Sequence, residues 1–169
     1  MQAPLTLQSE PGRGSVFTLE LPVGRAPRAA SEAPGRGPAA GVTLDRKRVL
    51  VVEDEPAVLN GLEVLLKSWG ASVQAFDSVA ACRAWAAQAA AAPDLLIVDY
   101  RLESGHTGTE VISVLRKRFA GAPLPAIVVT GSLMSSHEQE AQQHDFHLLI
   151  KPVLPHKLRA MIAFKLGMR

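Results

Sequence analysis

Cysteine is almost absent from this chain of 169 residues, which contains only Cys82. A single cysteine excludes an internal disulfide and a cysteine-rich zinc site, and it fits a reducing compartment. The chain also lacks an apolar run near the ~20 residues that cross a bilayer, and its N-terminus has no signal-peptide pattern. We therefore expect a cytoplasmic location and no direct membrane contact.

The chain also has little excess of positive over negative charge. The formal net charge is +2, and residues 1–47 account for it with six Lys/Arg against four Asp/Glu. Residues 48–169 balance, with twelve of each. Neither part has the basic footprint of a nucleic-acid-binding protein, so we expect no nucleic-acid partner. The apolar fraction of 47% is ample for the core of one domain.

What the chain does contain is four short apolar runs that end in polar, reactive side chains. Continuous apolar runs of this length are typical of buried parallel strands. Because open α/β sheets bind ligands at the carboxyl ends of their strands, these side chains predict a site at one sheet edge. The runs with the residues that follow them are 49–52 with Glu53-Asp54, 95–98 with Asp99, 126–129 with Thr130-Gly131, and 148–150 with Lys151-Pro152.

These residues resemble the receiver domain of bacterial two-component signalling. The matching motifs are VVEDE at 51–55, IVDYRL at 97–102, VVTG at 128–131 and IKP at 150–152. The resemblance covers about residues 48–168. Strand and helix patterns alternate over the same stretch, and right-handed crossovers then favour an α/β, flavodoxin-like (βα)5 fold with parallel sheet order 2-1-3-4-5.

Carboxylates that cluster at a sheet edge repel one another unless a cation lies among them, and oxygen ligands of this kind suit Mg²⁺. The resemblance implies that Asp54 and Asp99 coordinate Mg²⁺ directly and that Glu53 holds it through water. It implies a further ligand in the backbone carbonyl of Arg101. Glu53 is longer than the Asp that often stands first in the pair, so we expect altered outer-shell geometry and a retained site.

The same resemblance implies that Asp99 is the phosphoacceptor. A carboxylate can attack phosphorus to form an aspartyl phosphate, and the transfer needs mainly positioning and charge neutralisation. Lys151 would neutralise the phosphoryl group, Thr130 would donate its hydroxyl to it, and the Lys151-Pro152 bond would be cis. The alternative is a plain salt bridge between Lys151 and Asp99, which would leave the other acids and the hydroxyl unexplained.

One switch position departs from the family pattern. Many receivers have Tyr or Phe three residues before this Lys, where the ring reports phosphorylation by rotating inward. Leu148 stands there, so the switch would depend on Thr130. Tyr100 and His106 flank the predicted cleft, where either could gate access, but we expect both at the surface.

The stretch 133–144 is polar and weakly patterned, and we interpret it as a helix. It follows directly from Thr130, so we expect it to form the output face together with the strand and helix that flank Lys151. Residues 133–169 also offer a face through which an oligomer could form.

Two stretches precede the receiver-like part, which we place at 47–169. Residues 1–22 include GRGSVFTLELP, which predicts a small hairpin and looks like the last strands of the ATP-binding domain of histidine kinases. The ATP-binding boxes are absent, so this remnant would be neither autonomous nor able to bind ATP. The alternative is an incidental N-terminal tail. Residues 23–46 are interpreted as a flexible linker, since Gly, Pro and Ala fill thirteen of the positions 23–43.

The sequence therefore predicts a phosphoacceptor receiver in a phosphorelay, whose partner is a histidine kinase or a histidine phosphotransfer domain. It would catalyse only its own phosphorylation and dephosphorylation. If the kinase remnant is genuine, the chain is the C-terminal receiver of a hybrid histidine kinase with no DNA-binding domain after it. The alternatives are a stand-alone response regulator that acts by protein contact, and a degenerate receiver that serves only as an interaction module.

Overall fold

The computed structural model describes residues 4–20, 43–131, 140–141 and 143–168. The chain divides into two compact units, residues 1–39 and residues 40–169. The described part of the first unit is the expected hairpin, with antiparallel strands β1 (Leu5–Glu10) and β2 (Gly14–Leu19). All residues of both strands are exposed.

The second unit contains one five-stranded parallel sheet and four α-helices among its described residues. The sheet order is β4-β3-β5-β6-β7, which is the predicted order 2-1-3-4-5 counted within this unit. The flavodoxin-like α/β fold is therefore confirmed. The strands are β3 (Arg48–Val52), β4 (Ser72–Phe76), β5 (Leu95–Asp99), β6 (Ala126–Thr130) and β7 (Phe146–Ile150), and the helices are α1 (Pro56–Ser68), α2 (Val79–Gln88), α3 (Gly108–Arg118) and α4 (Pro155–Lys165).

The apolar runs form strands because both faces of the sheet are covered. Every residue of β5 is buried, and its side chains alternate between two separate core clusters. Leu96 and Val98 pack in the cluster that contains buried residues of α2 and α3, whereas Leu95 and Ile97 pack with α1 and α4. Each fully buried aliphatic side chain stabilises the fold by ~1.5–3 kcal/mol.

The Ala-rich stretch after Ser78 predicts a helix that Ser78 caps and that runs to about Ala91, but helix α2 ends at Gln88. Ser78 caps its start, as expected, by accepting a hydrogen bond from the Ala81 N–H at 3.3 Å. At the other end, the guanidinium of Arg118 donates to the carbonyls of Ala86 and Ala89 at 3.0 and 3.1 Å. Arg118 of helix α3 thus satisfies the Ala86 carbonyl, which another turn of α2 would have bonded to the Ala90 N–H, and the Ala89 carbonyl, whose partner four positions on would be Pro93 without an N–H.

Some predicted segments fall partly or wholly outside the described residues. Within the predicted linker, Leu44 is completely buried in the core, and its N–H donates to the Trp69 carbonyl at 2.7 Å. The packed chain therefore includes residues before position 47. In the predicted helix at 133–144, the described residues Glu140, Ala141 and Gln143 are helical, and the stretch 133–139 lies outside the described part. No helix among the described residues is long and apolar enough to cross a bilayer.

Candidate functional site

The carboxyl ends of four strands bring the predicted polar residues to one edge of the sheet. The parallel registers place Val52 beside Val98, Asp99 beside Val129 and Thr130 beside Ile150. Residues that directly follow neighbouring strands are therefore neighbours in space. A cavity of about 360 Å³ opens at this edge, and it is lined by Asp99, Arg101, Thr130, Gly131 and Lys151.

Three carboxylates meet beside this cavity. Glu53, Asp54 and Asp99 each offer an oxygen, and these oxygens lie within 4.8 Å of one another. Glu53 is only 2% exposed and Asp99 only 9%, so two of the three acids have little access to water. A compact set of hard oxygen donors is what Mg²⁺ binds, so the residues present fit the predicted ion.

Lys151 joins two of these acids. Its Nζ donates to Asp99 Oδ2 at 2.7 Å and to the two oxygens of Glu53 at 3.0 and 3.3 Å. A pair between Lys151 and Asp99 alone, the alternative weighed above, therefore describes only part of the contact. The Lys151-Pro152 bond is cis, as expected. The backbone N–H of Lys151 donates to the Thr130 carbonyl at 2.7 Å, which holds the ends of β6 and β7 together.

Burial and mutual charge shift the proton equilibria of this cluster. Burial raises the pKa of the Glu53 carboxyl and repulsion from Asp99 adds to it, whereas the hydrogen bond from Lys151 opposes both. Burial alone would lower the pKa of Lys151, but the hydrogen bonds and charges of Asp99 and Glu53 outweigh it, so the pKa is raised. Lys151 is therefore a cation at neutral pH, in contact with a carboxylate that takes a proton more readily than an ordinary glutamate.

The loop after β5 fixes the backbone around Asp99. The Arg101 N–H approaches Asp99 Oδ1 at 3.4 Å, and the Gly108 N–H donates to the Tyr100 carbonyl at 3.0 Å. A Cβ on Gly108 would lie 2.3 Å from the Asp99 carbonyl oxygen, so only glycine lets α3 begin this close to β5. The sequence interpretation missed this role of Gly108, although a glycine at the start of a helix is a usable signal.

The two residues expected at the surface near the cleft behave differently. His106 is exposed, and its Nδ1 lies 3.0 Å from a carboxylate oxygen of Glu110. Tyr100 is half-buried, and its hydroxyl donates to Glu140 Oε2 at 3.0 Å. Burial, with the bond and charge of Glu140, raises the pKa of Tyr100, so the phenol stays a donor. No sequence pattern marks Glu140, which stands forty positions away.

The switch residues lie where the strand pattern places them. Thr130 is 3% exposed at the end of β6. Leu148 is half-buried in β7 and packs against the core cluster on the α2–α3 face of the sheet. The structure thus brings Glu53, Asp54, Asp99, Thr130 and Lys151 together, while the roles assigned to them stay predictions.

Comparison with known proteins agrees with this arrangement. Residues 49–163 match the model of the response regulator receiver domain. The response regulator protein PilR of Pseudomonas aeruginosa is 29% identical over 126 residues, which are 75% of this chain and 27% of PilR. The chain thus spans about a quarter of the length of this curated relative.

Solved structures give the same result. A CheY-like receiver domain protein from Methanospirillum hungatei is 26% identical, with a TM-score of 0.62 over 72% of this chain and 94% of that one. The signal receiver domain of a modulated diguanylate cyclase from Desulfovibrio desulfuricans is 29% identical, with a TM-score of 0.58 over 71% and 93%. Because the matched region exceeds half of the chain, the chain belongs to the response regulator receiver domain family of two-component signalling.

Proposed function

We propose that this receiver accepts a phosphoryl group from a phosphohistidine onto Asp99. The observation that carries the proposal is the position of Asp99 at the end of the central strand, lining a cavity and bonded to a lysine. The donor would be a histidine kinase or a histidine phosphotransfer domain in the cytoplasm. A degenerate receiver would have no reason to keep the full set of acids, hydroxyl and lysine.

The proposed transfer is a displacement at phosphorus. An oxygen of the Asp99 carboxylate attacks phosphorus while the bond from phosphorus to the histidine nitrogen breaks. The imidazole leaves with that electron pair and takes up a proton, and Asp99 becomes an acyl phosphate. Lys151 Nζ, now 2.7 Å from Asp99 Oδ2, would neutralise charge on the phosphoryl oxygens, and the Thr130 hydroxyl would donate to one of them.

The acidic cluster would hold Mg²⁺ through Asp54 and Asp99 directly and Glu53 through water, with the Arg101 carbonyl as a further ligand. When bound there, Mg²⁺ would neutralise part of the negative charge that gathers at the phosphoryl group. The spacing of the three carboxylates, within 4.8 Å, supports this assignment. Lys151 would then be free to turn from Glu53 toward the phosphoryl oxygens.

Intact-mass measurement after incubation with acetyl phosphate tests the proposal. We expect the chain to gain the mass of one phosphoryl group in Mg²⁺ and to gain little in EDTA. The variant Asp99→Asn should gain none. Asp94→Asn is the matched control, because Asp94 stands just before the opposite end of the same strand and should not affect the gain. An undiminished mass gain in Asp99→Asn would show that another residue is the phosphoacceptor.

The parent protein is the finer part of the proposal. We infer that this receiver belongs to a hybrid histidine kinase, because the β1–β2 hairpin has the sequence that resembles the end of a kinase ATP-binding domain. An isolated hairpin is marginally stable in water. Leu5, Leu7, Phe17 and Leu19 pair across one hairpin face and are 53–68% exposed, so further strands or helices of a parent domain would cover them. A stand-alone regulator is the alternative, and the gene sequence upstream of Met1 discriminates between them.

A further inference from the structure

The backbone of Tyr100 is held on both sides, directly after the proposed acceptor. Its N–H donates to the Val129 carbonyl at 2.7 Å, and its carbonyl accepts from the Gly108 N–H at 3.0 Å. The backbone is closely packed at Gly108, where an added Cβ would lie 2.3 Å from the Asp99 carbonyl oxygen. A displacement of the Asp99 backbone would therefore also displace Tyr100, the next residue in this closely packed turn.

The side chain of Tyr100 reaches the segment that leads into β7. Its hydroxyl donates to Glu140 Oε2 at 3.0 Å, and its ring packs against the same core cluster as Ala141 and Leu148. The Glu140 carbonyl in turn accepts from the His144 N–H at 3.0 Å, so Glu140 lies in the helical turn that precedes β7. One side chain thus spans from the residue after Asp99 to the segment expected to form the output face.

We propose that the Tyr100–Glu140 hydrogen bond couples the acceptor loop to residues 140–150 in this receiver, where Leu148 leaves the usual aromatic position without a ring. The proposal rests on the proposed phosphorylation of Asp99. A phosphoryl group would add roughly two negative charges one residue away from Tyr100. Rearrangement of the acceptor loop around that charge would displace the adjacent Tyr100, and a displaced hydroxyl could no longer hold the Glu140 carboxylate at 3.0 Å. Phosphorylation would then release Glu140, which supplies the differential contact that a population shift requires.

Amide NMR shifts with and without beryllofluoride and Mg²⁺ test the coupling. Tyr100→Phe removes only the hydroxyl and keeps the ring in place. We expect the amides of residues 140–150 in this variant to be shifted already without beryllofluoride, and most of the further shift on its addition to be lost. A wild-type response of residues 140–150 in Tyr100→Phe would overturn the proposal.

Two further variants keep the test decisive. Glu140→Ala breaks the same bond from the other side, so it should reproduce the loss, and the double variant should lose no more than either single one. Additive losses would show that the two residues act separately and would also overturn the proposal. Glu110→Gln is the control, because it alters the exposed contact with His106 in the same loop. Its response should equal that of the wild type.

The phosphoryl mass gain is measured on the same variants. We expect Tyr100→Phe and Glu140→Ala to gain it as the wild type does, because neither residue lines the cavity at Asp99. Failure of the wild type to gain mass would defeat the proposed function itself. A normal mass gain with an unchanged NMR response would defeat only the coupling.

Discussion

At the residue scale, the stability of the acidic cluster depends on Lys151. Its ammonium group contacts both Glu53 and Asp99, and these carboxylates are 2% and 9% exposed. Removing one partner of a buried ion pair is costly because it leaves an uncompensated charge away from water. A divalent cation among the carboxylates would supply the missing positive charge.

Lys151→Met should therefore destabilise the protein strongly in EDTA and less in Mg²⁺. We expect the free energy of unfolding to fall by about 3 kcal/mol in EDTA, and Mg²⁺ to restore part of the loss. Urea denaturation under both conditions measures the two values. Lys157→Met is the control, since Lys157 is exposed on α4, and it should change stability by less than about 0.5 kcal/mol. Equal losses with and without Mg²⁺ would contradict a cation site at the cluster.

His147, which lies outside the acidic cluster, predicts a pH dependence of stability. Its Nδ1 is buried without a hydrogen-bond partner among the described residues, and its ring packs 5.3 Å from that of Phe164. Burial lowers the pKa of His147, the charge of Lys165 lowers it further, and Asp145 partly opposes both. The folded state thus holds His147 neutral, whereas the unfolded chain takes up a proton at the ordinary value of 6.5.

Because the unfolded state binds the extra proton, this residue makes stability fall as the pH drops through 6.5 toward the lowered pKa. His147→Leu should remove that contribution, so the variant should lose less stability than the wild type between about pH 7.5 and about pH 5.5. At the higher pH it should be more stable by about 1 kcal/mol, since an unpaired buried nitrogen is gone. Urea midpoints at both pH values measure this, and parallel losses in the two proteins would refute it.

At the element scale, the start of α3 is the tightest junction of the site. A Cβ at Gly108 would approach the Asp99 carbonyl oxygen at 2.3 Å and Val98 Cγ2 at 2.9 Å. One of these contacts is with backbone, which cannot rotate away. Gly61 in α1 is the opposite case, since a Cβ there would meet nothing within 4 Å.

Gly108→Ala and Gly61→Ala should therefore change stability in opposite directions. Overpacking at Gly108 should cost about 1–3 kcal/mol and displace Asp99, so the phosphoryl mass gain should slow as well. Alanine at Gly61 should stabilise the protein by about 1 kcal/mol, because alanine favours the helix and has room. Thermal unfolding compares the pair. A Gly108→Ala protein as stable as the wild type would show that α3 can move away from β5 at little cost.

Elements and site differ in how far the sequence predicts them. The strands were predictable because a parallel sheet covered on both faces needs continuous apolar runs, and the residues after those runs must meet at one edge. The end of α2 was not predictable in the same way, because Arg118 of another helix satisfies the carbonyls of Ala86 and Ala89. The Tyr100–Glu140 bond joins residues forty positions apart, and such a contact leaves no local periodicity to read.

At the scale of the whole molecule, the receiver unit has a core cluster on each face of its sheet. Both core clusters consist of residues from Leu44 to Met168, and they lie on opposite faces of one sheet. Within the described stretch 43–131, Leu44 is the first residue that belongs to either cluster, and it is completely buried.

Two shortened chains should show where the linker ends and the receiver domain begins. A chain that begins at residue 43 keeps Leu44, so its urea midpoint and its phosphoryl mass gain should equal those of the full chain. A chain that begins at residue 47, the boundary expected from the sequence, loses a completely buried leucine and the hydrogen bond from its N–H to the Trp69 carbonyl. Its free energy of unfolding should fall by about 2–5 kcal/mol, as for other buried leucines that are removed. Equal midpoints for the two chains would place the domain boundary after Leu44, and a loss in the longer one would assign residues before 43 a part in stabilising the receiver.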